Sequence, residues 1–573
     1  MNAIDPSMAS NMGVWLSPPG VKRAFADGRF GQIHYRIARP ARPERVPLVC
    51  LHMSPGSSRM YGEILVRMGI DRFAVAPDTI GFGESDAPPE PKEIEDFAQG
   101  VAELLDTLGF AQVDLLGMHT GSKIAVELAR QRPQQVRRVV IYGAACFTEE
   151  ELAAFKQEFA GVPLAEDGSH LKTRWDMYWK YRGPVMGVDL VQRELAESCR
   201  AGERYHWGHR ASFNYNMSER ITAVTQPVLV LTAATDDLYT QSLRAPALLQ
   251  NGHLIDLPAE RFGQGCFDTE VEEICKILRG FLDDGPVDPA TADPSGNVRK
   301  QPPSPAILPG FVRRQYADSR YGQLNYRIVK PTGDRNSGIP LVCLHTASGS
   351  GKSFANLMKA MGSDRTIIAP DNPGRGESDP PPMPPAIADY ADVMGEFIVG
   401  LGLEQVDLLG FHAGSLVATE LALKIPKLVR KVVLYSAPLF TPDELESFRA
   451  HYGTISFDED GLHNVRRWQA FWPWRGAGQT IEMYASQFAE GLRWGPNYPW
   501  GFLASFDYPA RERMAALTQP VLVLNPADDL QQQTRRIGEV LPSARVVEFP
   551  DAGHGLMDTR TAEVAALLRE FLG

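Results

Sequence analysis

The chain has 573 residues, 44% hydrophobic and 22% charged, ordinary globular usage that excludes a wholly disordered protein. At roughly one to two hundred residues per domain, this length calls for several domains. Fifty-eight basic against seventy acidic side chains leave a formal charge of −12, which argues against nucleic-acid binding, since that needs a clustered basic surface.

No apolar run reaches the roughly 18 residues of a membrane span. The opening MNAIDPSMASNMGVWLSPPG lacks a basic n-region and an apolar h-region, so neither membrane association nor secretion is expected. The six cysteines (Cys50, Cys146, Cys199, Cys266, Cys275, Cys343) form no CxxC pair and suit the reduced core thiols of a soluble cytoplasmic protein.

The chain contains itself twice. GRFGQIHYRIARP from Gly28 returns as SRYGQLNYRIVKP from Ser319. PLVCLH (Pro47, Pro340), the APD…GESD segment (Ala76, Ala369), QVDLLG (Gln112, Gln405) and TQPVLVL (Thr225, Thr518) each recur 293 residues apart. So long a period, occurring twice, marks a tandem domain duplication. Between the copies, DDGPVDPATADPSGNVRKQPPSPAILP has the composition of an extended linker.

In chain order, the first copy gives buried-strand candidates at VPLVCLH and RFAVAP, a helical stretch EDFAQGVAELLDTLG, and a strand at VDLLG. A helix SKIAVELARQRP, a strand RRVVIYG and, after a long gap, a strand PVLVLT follow. This alternation implies a mostly parallel sheet covered on both faces. The gap, from Phe147 to Pro227 and again from about Thr441 to Thr518, is rich in Trp and Tyr. Those aromatics are read either as helix-packing residues or as a lid over a pocket for an apolar ligand.

An ordered set of motifs carries a family resemblance. A strand ends in histidine (His52; His345), and a D-x-x-G-x-G-x-S-D turn follows (Asp78 to Asp86; Asp371 to Asp379). Next come a strand–G-x-x-x-G–helix elbow, an inserted cap and a late strand ending in acid (Asp236; Asp528), and the second copy adds Gly553-His554. Each copy resembles an α/β-hydrolase over nearly its whole length. The resemblance implies two tandem α/β-hydrolase domains, each a mostly parallel sheet flanked by helices with an inserted helical cap. The expected bounds are 1–283 (cap about 148–224), a Pro-rich linker at 284–306, and 307–573 (cap about 441–517).

The family places its nucleophile in G-x-S-x-G, a strained turn between strand and helix. Here the elbows read Gly117-Met118-His119-Thr120-Gly121 and Gly410-Phe411-His412-Ala413-Gly414, with histidine at the nucleophile position in both. Three readings stand for His119 and His412: general base or direct nucleophile, ligand contact in a pseudoenzyme, or metal ligand with His52 or His345. The sequence shows no H-E-x-x-H and no compact carboxylate–histidine cluster, so no metal and no cofactor are expected. His206-x-x-His209 has helical spacing without a counterpart in the second copy.

By resemblance, Asp528 and His554 are the acid and base of the second copy, whereas the first keeps Asp236 and has Gln264 where His554 stands. The oxyanion hole would be formed by the backbone N–H groups of Ala413 and Ala347, and of Thr120 and Ser54. Ser122 and Ser415, three residues past the histidines, are expected to face packing. The Asp-Gly-x-His segments at Asp167 and Asp460 read as turn chemistry. The function expected is a cofactor-independent hydrolase of a small ester, lactone or activated C–C substrate. The alternatives are a non-catalytic ligand-binding pseudo-hydrolase or a C–C lyase. The only partner expected is a small-molecule substrate, with contact between the two halves.

Overall fold

The computed structural model describes residues 17–285, 289–293, 310–331 and 338–573. Most of the linker expected at 284–306 lies outside the described residues. The chain divides into two compact units, one built on 17–163 and 170–285, the other on 310–573 with Leu164–Ser169.

The first unit holds eight strands: β1 (Val21–Gly28), β2 (Gly31–Ala38), β3 (Leu48–Leu51), β4 (Ala74–Pro77), β5 (Val113–Met118), β6 (Val136–Tyr142), β7 (Val228–Ala233) and β8 (Gly252–Leu257). They form one sheet in the order β1-β2-β4-β3-β5-β6-β7-β8. β1–β2 and β2–β4 pair antiparallel, and every other pairing is parallel. The parallel strands β3 to β7 lie where the apolar runs put them. The antiparallel pair and β8 carry no such run; β8 is a largely exposed edge, so no continuous apolar stretch announced it.

Two helices position the elbow. α1 (Ile94–Leu108) buries Ile94, Phe97, Val101, Leu104 and Leu105 and stops at Gly109 in the left-handed region, as a helix C-cap favours. α2 (Thr120–Gln131) follows β5 after one intervening residue, His119. The inserted segment between β6 and β7 is helical as expected. Its longest element, α3 (Ser169–Ala201), is interrupted at Gly187 and buries Trp175 completely. Trp175 stacks on Trp179 with centroids 6.0 Å apart, which is helix packing.

The second unit repeats the plan with β9 (Arg313–Ser319), β10 (Gly322–Val329), β11 (Leu341–Leu344), β12 (Ile367–Pro370), β13 (Val406–Phe411), β14 (Val429–Tyr435), β15 (Val521–Pro526) and β16 (Arg545–Phe549). The sheet order is again β9-β10-β12-β11-β13-β14-β15-β16. α4 (Ile387–Gly400) and α5 (Ala413–Lys424) match α1 and α2, and α6 (Leu462–Phe471) and α7 (Ile481–Leu492) belong to the insertion. In each unit one large apolar cluster lies on either face of the sheet, as a parallel sheet requires.

The D-x-x-G-x-G-x-S-D turn proves to be a backbone clasp. Asp78 accepts the N–H groups of Ser58 (2.7 Å) and Glu84 (2.8 Å), and Asp371 those of Gly351 (2.7 Å) and Glu377 (3.0 Å). Gly83 and Gly376 have φ of +53° and +56°, and a Cβ on either would collide with that carboxylate. The motif shapes the loops beside the site.

Candidate active site

Each histidine of the G-x-x-x-G elbows is a non-glycine residue in the left-handed region: φ is 49° at both His119 and His412. The turn is tight because a Cβ on Gly121 or Gly414 would run into the carbonyl of Leu51 or Leu344. Strain of this kind persists only where packing over-determines it, and it clusters at functional positions. It lifts each imidazole off the strand end, at the N-terminus of α2 or α5.

In the second unit four side chains converge. His412 Nε2 lies 3.2 Å from Asp528 Oδ2, and His554 Nε2 lies 2.7 Å from Asp529 Oδ1. The two rings meet edge-on with centroids 5.4 Å apart. Ser436, also at positive φ (48°), donates its hydroxyl to Asp528 Oδ2. Burial opposes protonation of His554, but the Asp529 carboxylate outweighs it and holds the pKa above the usual value. Burial likewise opposes ionisation of Asp529, and His554 reverses that, keeping the carboxyl below its ordinary range.

Two sequence expectations need correcting here. The carboxylate that pairs with His554 is Asp529, not Asp528, which binds His412 and Ser436 instead. The chain also does hold compact carboxylate–histidine clusters. One ligand atom from each of His412, Asp528, Asp529 and His554 lies within 4.8 Å of all the others, and the same is true of His119, Asp236 and Asp237. In each, the elbow histidine lies more than a hundred residues before its carboxylates, so no local spacing joins it to them.

The first unit carries the altered version. His119 Nε2 is 2.9 Å from Asp236 Oδ2 and 3.7 Å from Asp237 Oδ1. Burial lowers the pKa of His119, and the two carboxylates more than restore it. Gln264, standing where the other copy has His554, donates to Asp237 Oδ1 at 2.7 Å. Arg182 in turn donates Nε to Gln264 Oε1 at 2.6 Å and pairs with Glu194 at 3.3 Å. An amide and a guanidinium thus fill the place of an imidazole. Asp237, Ser436 and Arg182 had not been singled out from sequence, and Asp529 only as the neighbour of Asp528.

His52 and His345 are not part of either cluster. In each, Nδ1–H donates to the next carbonyl (Met53 O and Thr346 O, both 2.7 Å), and Nε2 accepts a backbone N–H (Thr79 and Asn372, both 2.8 Å). Both nitrogens are spent on fixing the loop that carries Ser54 or Ala347. Ser122 and Ser415 are completely buried and donate to Gly117 O and Gly410 O. Among the described residues, the N–H groups of Ser54, Thr120, Ala347 and Ala413 donate no hydrogen bond. Asp167 and Asp460 each accept the N–H two residues on, at 2.9 Å, as turn chemistry requires. His209 is packed between Tyr205 and Phe213, outside the His119 cluster.

The insertion reaches the second cluster with aromatics. Phe471 lies against His554 (centroids 6.4 Å) and Tyr452 against Phe471 (5.7 Å), with Phe502 stacked on Tyr452 (4.9 Å). A separate concavity of about 400 Å³, lined by Leu439, Phe440, Phe506 and Tyr508, holds none of these histidines or carboxylates.

A family model described as the alpha/beta hydrolase fold matches residues 46–170 and 339–561. A 3-hydroxybutyrate-oligomer hydrolase of Cupriavidus necator is 27% identical over 267 residues, covering 42% of this chain and 91% of its own. A 2-hydroxymuconate semialdehyde hydrolase of a Pseudomonas species is 27% identical over 261 residues, covering 42% and 88%. Among solved structures, the enol-lactonase of Burkholderia xenovorans aligns at 19% identity and a TM-score of 0.38, covering 45% of this chain and 99% of its own. Among the described residues no helix is long and apolar enough to cross a membrane.

Proposed function

The chain belongs to the alpha/beta hydrolase fold family and is a hydrolase, and on that premise we propose that its second domain hydrolyses a small ester, lactone or activated C–C substrate with histidine in place of the serine nucleophile. The observation that carries this reading is His412, held at φ 49° with Nε2 on Asp528. With Nε2–H donated to the carboxylate, Nδ1 keeps its lone pair and no residue of the described chain bonds to it. That nitrogen is the base that takes a proton from water as the water attacks the acyl carbon.

The tetrahedral oxyanion is received by the N–H groups of Ala413 and Ala347. His554, whose protonated form the Asp529 carboxylate favours, gives its proton to the departing oxygen, so the products are an acid and an alcohol. The proton on His412 then restores His554 through water. Phe471 and Tyr452 form the apolar side of the substrate site, which suits a short acyl chain.

In the first domain Gln264 and Arg182 replace the proton donor, and we assign that domain a ligand-binding role without turnover. A cytoplasmic setting agrees with six buried, unpaired cysteine thiols. The test is a panel of short-chain esters and lactones presented to the full chain. Turnover that vanishes in His412→Ala supports the reading, and turnover unchanged in that variant overturns it.

A further inference from the structure

The second-domain cluster has the donors of a metal centre as well as those of a proton relay. His412, His554, Asp528 and Asp529 present two imidazole nitrogens and two carboxylate oxygens, all within 4.8 Å of one another. Zinc-like ions bind such N and O ligands at about 2.0–2.2 Å, which sets tetrahedral ligand–ligand distances at about 3.4 Å. The His412–Asp528 separation of 3.2 Å is near that figure already, and the His554–Asp529 pair at 2.7 Å has to open by only some tenths of an ångström.

Charge points the same way. Asp528 has no exposed side-chain surface and Asp529 is 11% exposed, and among the described residues neither makes an ion pair with Lys or Arg. Their charge partners are the imidazoles of His412 and His554, and a dication that takes the place of the ring proton compensates both carboxylates with one particle.

The first domain is the internal contrast. His119, Asp236 and Asp237 supply three donors, but the fourth position is Gln264, whose amide nitrogen has no lone pair to give. That amide already occupies Asp237 Oδ1, and Arg182 backs it. The duplication therefore offers one complete four-donor set and one that is plugged.

We infer that the second domain binds one divalent transition-metal ion of the zinc class through His412, Asp528, Asp529 and His554, and that the first domain binds none. On binding, each imidazole turns its Nε2 lone pair to the ion and carries its proton on Nδ1. The inference uses the same cluster as the proposed hydrolysis, and with Nδ1 of His412 protonated the ion-bound form is not the hydrolytic one; its occupancy is read without turnover.

The experiment uses the full chain without a polyhistidine tag, stripped with chelator, then incubated with Zn²⁺ and desalted for metal analysis. Co²⁺ is added to a parallel sample as a visible-absorption probe. One Zn²⁺ retained per chain, and a Co²⁺ spectrum that Zn²⁺ displaces, support the inference. So does at least a tenfold weaker Co²⁺ affinity in His554→Gln, which reproduces the first domain, and in Asp529→Asn, with His119→Ala unchanged. Thermal unfolding of each variant confirms that it is folded. Zero or two ions per chain, retention indifferent to both second-domain variants, or loss in His119→Ala would overturn it. Turnover by protein that retains no ion overturns this inference and leaves the hydrolytic reading standing. Ion retention without turnover on any ester does the reverse.

Discussion

Acid should destabilise the second domain through His345. Its ring is wholly buried, with Nδ1–H on Thr346 O and Nε2 accepting the Asn372 N–H. A second ring proton would face that N–H. Burial drives the pKa down from 6.5 to about 3, against the pull of the Thr346 carbonyl and with help from Arg375. The folded value lies below the unfolded one, so as the pH drops through 6.5 the unfolded chain takes up the proton first. The contribution is complete above pH 6.5 and is lost progressively towards 3. At about 1.36 kcal/mol per pKa unit, the loss is about 2 kcal/mol at pH 5 and about 5 kcal/mol near pH 3.

The assay is urea unfolding of the full chain at about pH 7.5 and about pH 5, comparing wild type with His345→Gln. Glutamine offers a donor and an acceptor but no titration in this range. His52, whose pKa burial also lowers, is common to both proteins and cancels. The stability lost between the two pH values should be smaller in the variant by about 2 kcal/mol. Parallel pH profiles would show that His345 is not held neutral by its two backbone partners, and the reasoning about the oxyanion loop would fail with it.

Gly414→Ala sets a Cβ against the Leu344 carbonyl and should cost about 3 kcal/mol of stability; a wild-type urea midpoint would contradict the close approach. Fluorophosphonate probes should leave the intact mass unchanged, because Ser122 and Ser415 are sealed in the core; stoichiometric labelling at either would move the nucleophile. Cleavage near residue 295 should release two fragments that each unfold cooperatively, since each sheet has its own two-faced core. A molten or insoluble 306–573 fragment would show that the domains depend on one another.

The duplication, the parallel strands and the elbows were legible because each rests on a local pattern: an apolar run, a pair of glycines, a repeat. β8 was not, since an exposed edge strand has no reason to be continuously apolar. His119 and His412 stood out because histidine replaces the small nucleophile between two necessary glycines. Asp528 and Asp529 are adjacent at the end of a strand, where the turn decides which carboxylate faces which ring, so their partners could not be told from sequence. Ser436 had a signal that was available, since the first copy has Gly143 at that point after the same strand. The Gln264–Arg182 pair joins the late loop to the long helix of the insertion, 82 residues away, and only the fold brings them together.

The measurement that bears most directly on the site is turnover of the best ester or lactone by full-length His412→Ala and His119→Ala, side by side with wild type. His412 has both a carboxylate partner and a second imidazole beside it, whereas His119 has Gln264 at the place of that imidazole. Loss of a base in this role costs about a hundredfold or more, so His412→Ala should abolish turnover while His119→Ala costs less than about tenfold. Equal losses, or a larger loss in His119→Ala, would place the chemistry in the first domain or in both and would contradict the assignment made here.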